Sequence, residues 1–349
     1  MLGGCDVAKP EPPSGLGPPL HLVGIYPNDG CGVGDSPDCT VPTNVTLTFR
    51  FDRFLNPATV NRQAIRLYTG APEVAIGAPP FEVTYDPIER VAEFRTPPGY
   101  ALVPNVLYQL ELVVPEGPDD FGIRAFDGAP LTETDIPLHG SFFTSPDSLD
   151  VAPEPAFTCP DIVGKGSSVF STCTGAECHQ KGDNAVGGVA LADAPYGLWL
   201  DDPRHFTLSA VNRVARETET GDQSGGVPTE RGARFGVHMA LVDPRNPGGS
   251  YLIYKLLRNP SNFEPCPAGS SLGVCSQAGD PAVSAHAALP LAKGELITPP
   301  QAELDRLQEW FVRGAGMPRP RGDERPLSVH LQGLRAVSRF IAAGADCEP

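Results

Sequence analysis

Proline is the residue that most limits what this chain can become. Forty of its 349 residues are Pro and another 38 are Gly, against a usual Pro share of about 5%. Proline has no amide hydrogen and its ring clashes with the preceding turn of a helix. Such a density interrupts long helices and favours short strands, turns and extended connections. Hydrophobic residues make up 40% of the chain, enough to bury a sizeable core and to exclude wholesale disorder. The length fits two ordinary domains. Lys and Arg number 26 against 42 Asp and Glu, a net charge of −16. A surface that acidic repels phosphate backbones and excludes a nucleic-acid partner. No stretch approaches the roughly 18 consecutive apolar residues of a membrane-spanning helix.

The nine cysteines stand at 5, 31, 39, 159, 173, 178, 266, 275 and 347. Cys31 with Cys39, and Cys266 with Cys275, lie in Pro/Gly-rich loops and read as disulfides closing irregular segments. That usage implies an oxidising compartment. Cys159 with Cys347 would be a third bridge, stapling the start of the C-terminal half to its end. Cys5 is different: Leu2-Gly3-Gly4-Cys5 resembles a bacterial lipobox, whose Cys is acylated and becomes the mature N-terminus. The Gly/Pro/Ser-rich residues after it have the composition of a flexible tether. A lipobox is normally preceded by a charged and an apolar stretch, and only Met1-Leu2 precedes this one, which points to a start further upstream or a shortened chain. The resemblance implies a protein anchored in the envelope of a Gram-negative bacterium, periplasmic or at the outer surface, touching the membrane through its lipid alone. Setting Cys5 aside leaves an even eight.

From about Leu20 to Ser145, short alternating apolar runs are separated by Pro, Gly, Asn and Asp. Val45-Thr46-Leu47-Thr48-Phe49-Arg50-Phe51 alternates with period two, the pattern of a half-buried strand. Residues 21–26, 64–68, 82–85, 90–94, 107–113 and 140–143 read as further strands. Seven strands in this length is the count of an immunoglobulin-like sandwich. The phrases Ile25-Tyr26-Pro27-Asn28-Asp29-Gly30, Phe54-Leu55-Asn56-Pro57-Ala58-Thr59-Val60 and Gly122-Ile123-Arg124-Ala125-Phe126-Asp127-Gly128 resemble the bacterial Ig-like domain of surface-layer and secreted proteins. The resemblance implies a spacer or display module without chemistry. Asp119, Asp120 and Asp127 are expected to be solvated loop acids rather than a calcium site, and His21 and His139 have no catalytic neighbour in sequence.

The second half carries the candidate chemistry. In Cys173-Thr174-Gly175-Ala176-Glu177-Cys178-His179, two cysteines with four residues between them are followed at once by His. This is a widened form of the c-type haem attachment signature, which usually has two intervening residues. Two thioether bonds would hold the macrocycle beside an imidazole that meets the iron. Residues 162–200, 241–258 and 298–347 resemble the cytochrome c-like domains of predicted myxobacterial lipoproteins. The phrases concerned are Cys-x4-Cys-His, Gly187-Gly188-Val189-Ala190-Leu191, Asp243-Pro244-Arg245-Asn246-Pro247-Gly248-Gly249-Ser250-Tyr251-Leu252, Gly316-Met317-Pro318 and Phe340-Ile341-Ala342-Ala343-Gly344-Ala345. The resemblance implies that Cys173 and Cys178 bind haem c covalently, with His179 as the proximal ligand and Met317 as the distal one. Met317 sits in a Gly/Pro-rich loop between two helical stretches, one opening near Thr298 and Pro299, the other carrying Leu331, Leu334, Val337, Phe340 and Ile341. His205, His238, His286 and His330 are the alternative distal ligands. The 138 residues from His179 to Met317 include an insertion over 201–297.

The expected organisation is a lipobox remnant and tether (1–19), an all-β Ig-like sandwich (20–147), a linker (148–158) and a mostly α cytochrome c-like haem domain (159–349). The expected function is single-electron transfer by an envelope lipoprotein, in which the soft thioether favours ferrous iron and the acidic surface steers toward a redox partner with a basic face. Cys173 and Cys178 also read as a fourth disulfide. The chain would then be a haem-free, stapled structural or binding lipoprotein. No Gly-x-Ser-x-Gly elbow, His-Glu-x-x-His helix or phosphate-cradling loop occurs, and Arg321-Gly322-Asp323 reads as a turn. A carrier is expected rather than an enzyme.

Overall fold

Short strands separated by turn residues fold here into two sheets. In the computed structural model, the described residues are 17–26, 40–69, 80–117, 120–133, 136–146, 157–174, 179, 198–215, 239–270, 273–276, 299–310, 312, 317–318 and 328–347. The strands are β1 (Leu20–Tyr26), β2 (Thr40–Val41), β3 (Thr46–Phe51), β4 (Ile65–Thr69), β5 (Glu82–Asp86), β6 (Val91–Arg95), β7 (Leu107–Leu112), β8 (Leu131–Thr132) and β9 (His139–Thr144). One sheet runs β5-β6-β3-β1-β8 and the other β2-β9-β7-β4. Each of the seven runs read as a strand is one. The short strands β2 and β8 pair in parallel, with β9 and β1.

Alternation places Leu47 and Phe49 of β3, Phe94 of β6, Leu110 of β7 and Phe142 of β9 in one core between the sheets. Aromatic rings interlock there: Phe49 meets Phe94 edge-on at 5.7 Å, and Tyr108 stacks on Phe142 at 5.7 Å. The alternation of β3 predicts one wet face, but Thr48 and Arg50 on that face are 4% and 5% exposed. The C-terminal half accounts for the covering of Arg50. Arg50 pairs with Glu89, and Glu89 pairs in turn with Arg335 near the C-terminus.

The fold class expected for the C-terminal half is overturned. It is not a mostly α domain of cytochrome c type. Its described helices are α1 (Cys159–Ile162), α2 (Pro203–Ala210), α3 (Tyr251–Leu257), α4 (Gly273–Ser276), α5 (Gln301–Trp310) and α6 (His330–Ala342), so only two of them exceed eight residues. Isolated bridges join 211 to 242 and 214 to 240. Proline accounts for the brevity. Pro203, Pro247 and Pro260 each sit in the first turn of a helical segment, behind Asp202, Asn246 and Asn259, whose side chains accept the turn's orphan amides. Such a start leaves little chain before the next Pro or Gly. The two longer helices follow the expected spacing, with Leu304 and Leu307 buried on α5, and Leu334, Val337, Phe340 and Ile341 buried on α6. Gly344, at φ +119°, lies just beyond the end of α6.

The two halves also share a core. Phe54, Ile88 and Phe126 from the sheet-rich half are buried in one cluster with Phe170, Phe206, Leu307 and Phe340. At its edge, the Arg53 guanidinium bonds Asp127 (2.6 Å) and Glu303 of α5 (3.0 Å). A Glu303 oxygen also accepts from the Phe54 amide at 3.2 Å. Asp127 is therefore no solvated loop acid: it is completely buried, because a loop acid beneath an arginine is retained inside by charge pairing. Disulfides join Cys159 to Cys347 and Cys266 to Cys275. Residues 148–156 of the expected linker, together with Cys5, Cys31 and Cys39, lie outside the described residues.

Candidate functional site

The segment after α1 folds back on itself through main-chain bonds. Val169 and Phe170 donate to the carbonyls of Asp161 and Ile162, and Gly164 donates to Leu200. The amide of His179 donates to the carbonyl of Cys173 at 3.0 Å, and the amide of Leu200 donates to the carbonyl of His179 at 2.8 Å. Six residues after Cys173, the chain has thus returned beside it. Cys173 is buried in the shared core, its sulfur 3.9 Å from the Thr172 hydroxyl. Cys178 and residues 175–177 lie outside the described residues.

His179 is 7% exposed. Its Nδ1 lies 3.0 Å from the carbonyl oxygen of Leu198. A carbonyl only accepts, so Nδ1 carries the proton and Nε2 keeps its lone pair. That is the arrangement by which a second partner orients an imidazole for a metal. Burial lowers the pKa of His179 below the ordinary histidine value, against a smaller opposing effect of the Leu198 carbonyl. The ring is neutral, the form that ligates.

Met317 is half-buried and packs on the same core cluster that holds Cys173. Its amide donates to the carbonyl of Lys255 on α3, and its carbonyl accepts from the Asn262 side chain. His179 and Met317 are thus held by separate sets of neighbours. Of the other candidates, His205 on α2 bonds Asp201 through Nδ1 at 3.3 Å and meets the Trp199 ring edge-on. His330 opens α6 with φ +57°, and its Nδ1 is buried without a hydrogen-bond partner. His238 and His286 lie outside the described residues. In the sheet-rich half, Nδ1 of His21 bonds Asp52 at 2.9 Å, on a partly exposed surface. Among the described residues, no three His, Cys, Asp or Glu side chains gather as a metal site, and no helix is long and apolar enough to cross a membrane.

The residue types suit a c-type haem: Cys173 in the shared core, Cys178 five positions on in the sequence, and the adjacent His179, whose Nδ1 is taken by Leu198 and whose Nε2 keeps its lone pair. Sequence reasoning missed the Leu198 carbonyl, and also Asn259 and Asn262 beside Met317. A backbone acceptor leaves no side-chain signature. The Asn259-Pro260 and Asn262 pattern signals only a capped turn.

No family model matches the chain, and no curated protein does. Among solved structures, the N-terminal part of the bacterial S-layer protein SbsC aligns at 9% identity and TM-score 0.24, covering 36% of this chain and 24% of that one. A longer form of the same S-layer protein aligns at 8% identity and TM-score 0.24, covering 44% and 17%. An L,D-transpeptidase from Mycobacterium smegmatis aligns at 12% identity and TM-score 0.21, covering 36% and 40%. The chain spans less than half the length of each. At these scores none assigns it a fold or a function.

Proposed function

We propose that this chain is a lipid-anchored envelope protein that carries haem c on Cys173, Cys178 and His179 and passes single electrons to a partner with a basic face. One observation carries the reading: the buried His179, next in sequence to Cys178 and stitched to Cys173, donates its Nδ1 proton to Leu198 and holds Nε2 ready to ligate. When bound, the haem supplies a one-electron ferric/ferrous couple. The chain's own residues attach it through thiols, fix the tautomer of its imidazole and exclude water around it. Burial of the ring in an apolar shell raises the cost of extra positive charge and so favours the reduced form. The two disulfides support an oxidising compartment, in which thioether attachment to periplasmic apoproteins takes place.

The test uses the full chain, because Phe54, Ile88 and Phe126 complete the C-terminal core. It is expressed in the periplasm of a strain with cytochrome c maturation machinery, and its pyridine haemochrome spectrum and intact mass are recorded. The expected result is one covalent haem, lost when Cys173 and Cys178 are both changed to Ala. A colourless protein with Cys173 and Cys178 joined overturns the proposal and leaves a haem-free stapled surface protein.

A further inference from the structure

Asn262 is fully buried and uses all four hydrogen-bonding positions of its amide. Its Nδ2 donates to the carbonyls of Leu256 and Met317, both at 2.8 Å. Its Oδ1 accepts from the Val329 amide at 2.9 Å and the Ser328 hydroxyl at 3.2 Å. One side chain thus ties the end of α3, the Met317 segment and the start of α6 into a single node. Three residues earlier, Nδ2 of Asn259 donates to the carbonyl of Pro318 at 3.2 Å, while its Oδ1 accepts from the Ser261 amide. The amide of Met317 donates to Lys255 at 3.1 Å. Three consecutive main-chain groups are therefore all bound from one stretch of chain: the Met317 amide by Lys255 of α3, and the Met317 and Pro318 carbonyls by the turn that follows it. Buried main-chain groups are paired in any core, but here all three are held by one short stretch, residues 255–262. Packing alone seats a methionine, and its flexibility suits it to irregular gaps.

We infer that Asn262 and Asn259 are positioning residues that clamp the Met317–Pro318 segment and set the Met317 thioether as the second axial ligand. This rests on the haem reading above. The thioether is a soft, weak ligand that competes with water and imidazole. Its retention depends on where the main chain holds it, since three rotatable side-chain bonds do not.

The test reads ligand and clamp separately in the full chain. Asn262→Asp keeps the acceptor used by Val329 and Ser328 and loses the donation to Met317. Asn259→Asp keeps the cap on Ser261 and loses the donation to Pro318. In the haem-loaded protein, Asn262→Asp is expected to lose the thioether-to-ferric-iron absorption band and to lower the midpoint potential, as Met317→Ala does. Asn259→Asp should act in the same direction more weakly, with the pyridine haemochrome unchanged in all three. In the haem-free protein, peroxide should oxidise Met317 several-fold faster in both clamp variants, with Met239 as internal reference by peptide mass spectrometry. A band that survives Met317→Ala overturns the ligand. A band, potential and oxidation rate unmoved by Asn259→Asp and Asn262→Asp overturn the clamp. If Asn262→Asp does not fold, Asn259→Asp alone decides. Absence of haem from the parent chain sinks the haem reading and the ligand role together, while the oxidation rates still judge the clamp.

Discussion

Replacing Arg53 by Met tests whether the two halves are held together by buried charge. The side chains of Arg53, Asp127 and Glu303 are 5%, 0% and 6% exposed, so water cannot take over from a lost partner. Burial alone would pull the Arg53 pKa down, but Asp127 and Glu303 outweigh it and the guanidinium stands above its ordinary value. Without it, two carboxylates face each other in the interior. Breaking a buried pair by removing one partner costs about 3–5 kcal/mol. Arg306 lies 3.7 Å from Asp127 with its side chain 35% exposed and can partly replace the lost charge. The lower end, about 3 kcal/mol, is therefore expected, or roughly 4 °C in Tm if the whole chain unfolds as one unit.

The assay is urea unfolding at pH 7, followed by far-ultraviolet circular dichroism and by tryptophan fluorescence. Both tryptophans, Trp199 and Trp310, belong to the C-terminal half, whereas the substitution lies in the other. Both probes should shift together. The deficit should also shrink on acidification. Burial already raises the Glu303 pKa above 4.5, with Arg53 opposing. A raised carboxyl is least costly when protonated, so lowering the pH through its folded value relieves a charge that nothing then balances. Adding Glu303→Gln and Asp127→Asn to Arg53→Met should recover much of the loss, because an uncharged node leaves no buried charge unpaired. A fluorescence midpoint within about 0.5 kcal/mol of the parent would refute the reasoning and make the interface a loose contact.

Gly248→Ala should cost about 1–3 kcal/mol in urea unfolding, as overpacking does. The added methyl would stand 2.7 Å from Cδ1 and 3.1 Å from the carbonyl oxygen of Tyr85, and Tyr85 is anchored by the Leu55 amide bonding to its hydroxyl. Changing Cys159 and Cys347 together to Ser removes a bridge across 188 residues. Chain entropy sets that loss at about 5 kcal/mol, to be read as the gap between parent and variant in non-reducing denaturation. His330→Asn should flatten the fall in stability on acidification. Burial lowers the pKa of His330 below 6.5, with Glu264 opposing, so its contribution is complete above 6.5 and is lost as the pH falls toward the folded value. Asn is chosen because it tolerates the positive φ at this position. Equal pH slopes in parent and variant would dismiss His330 as the titrating group.

Period-two alternation with turn residues between made the strands readable, since the inner faces carry Leu47, Phe49, Phe94 and Phe142 where the pattern requires them. Helical spacing likewise exposed α5 and α6. What could not be read was the fate of the outer face. Thr48 and Arg50 look solvent-facing in any local window, and Asp127 looks like a loop acid. Arg50 is paired inside by Glu89, which Arg335 also bonds, and Asp127 shares Arg53 with Glu303, which reaches that arginine across 250 residues of sequence. Pairing at that distance leaves no local trace. The cytochrome-like fold class was misjudged for the converse reason. Two helices and a Cys-x4-Cys-His run are local features, and they do not determine what fills the chain between them.

The phrase Asp243-Pro244-Arg245-Asn246-Pro247-Gly248-Gly249-Ser250 shows what such a match can mean physically. Asn246 bonds the Asp243 carboxylate and accepts from the Gly249 amide, while the Ser250 hydroxyl accepts from the Asp243 amide. The Arg245 amide donates to Ile341 of α6, and the Gly248 carbonyl accepts from the buried Tyr254 hydroxyl. The phrase is a knot joining α3, α6 and the β5 edge, and every polar group named in it is committed to the fold. By that standard, residues whose bonds are all spent mark architecture. A site is marked where orientation is fixed and bonding capacity remains. The haem proposal relies on His179 meeting the second condition: Leu198 fixes one ring nitrogen and thereby leaves the other with its lone pair. Asn262 meets the first, and its fully spent amide is the reason to treat it as the holder of Met317 rather than as a ligand.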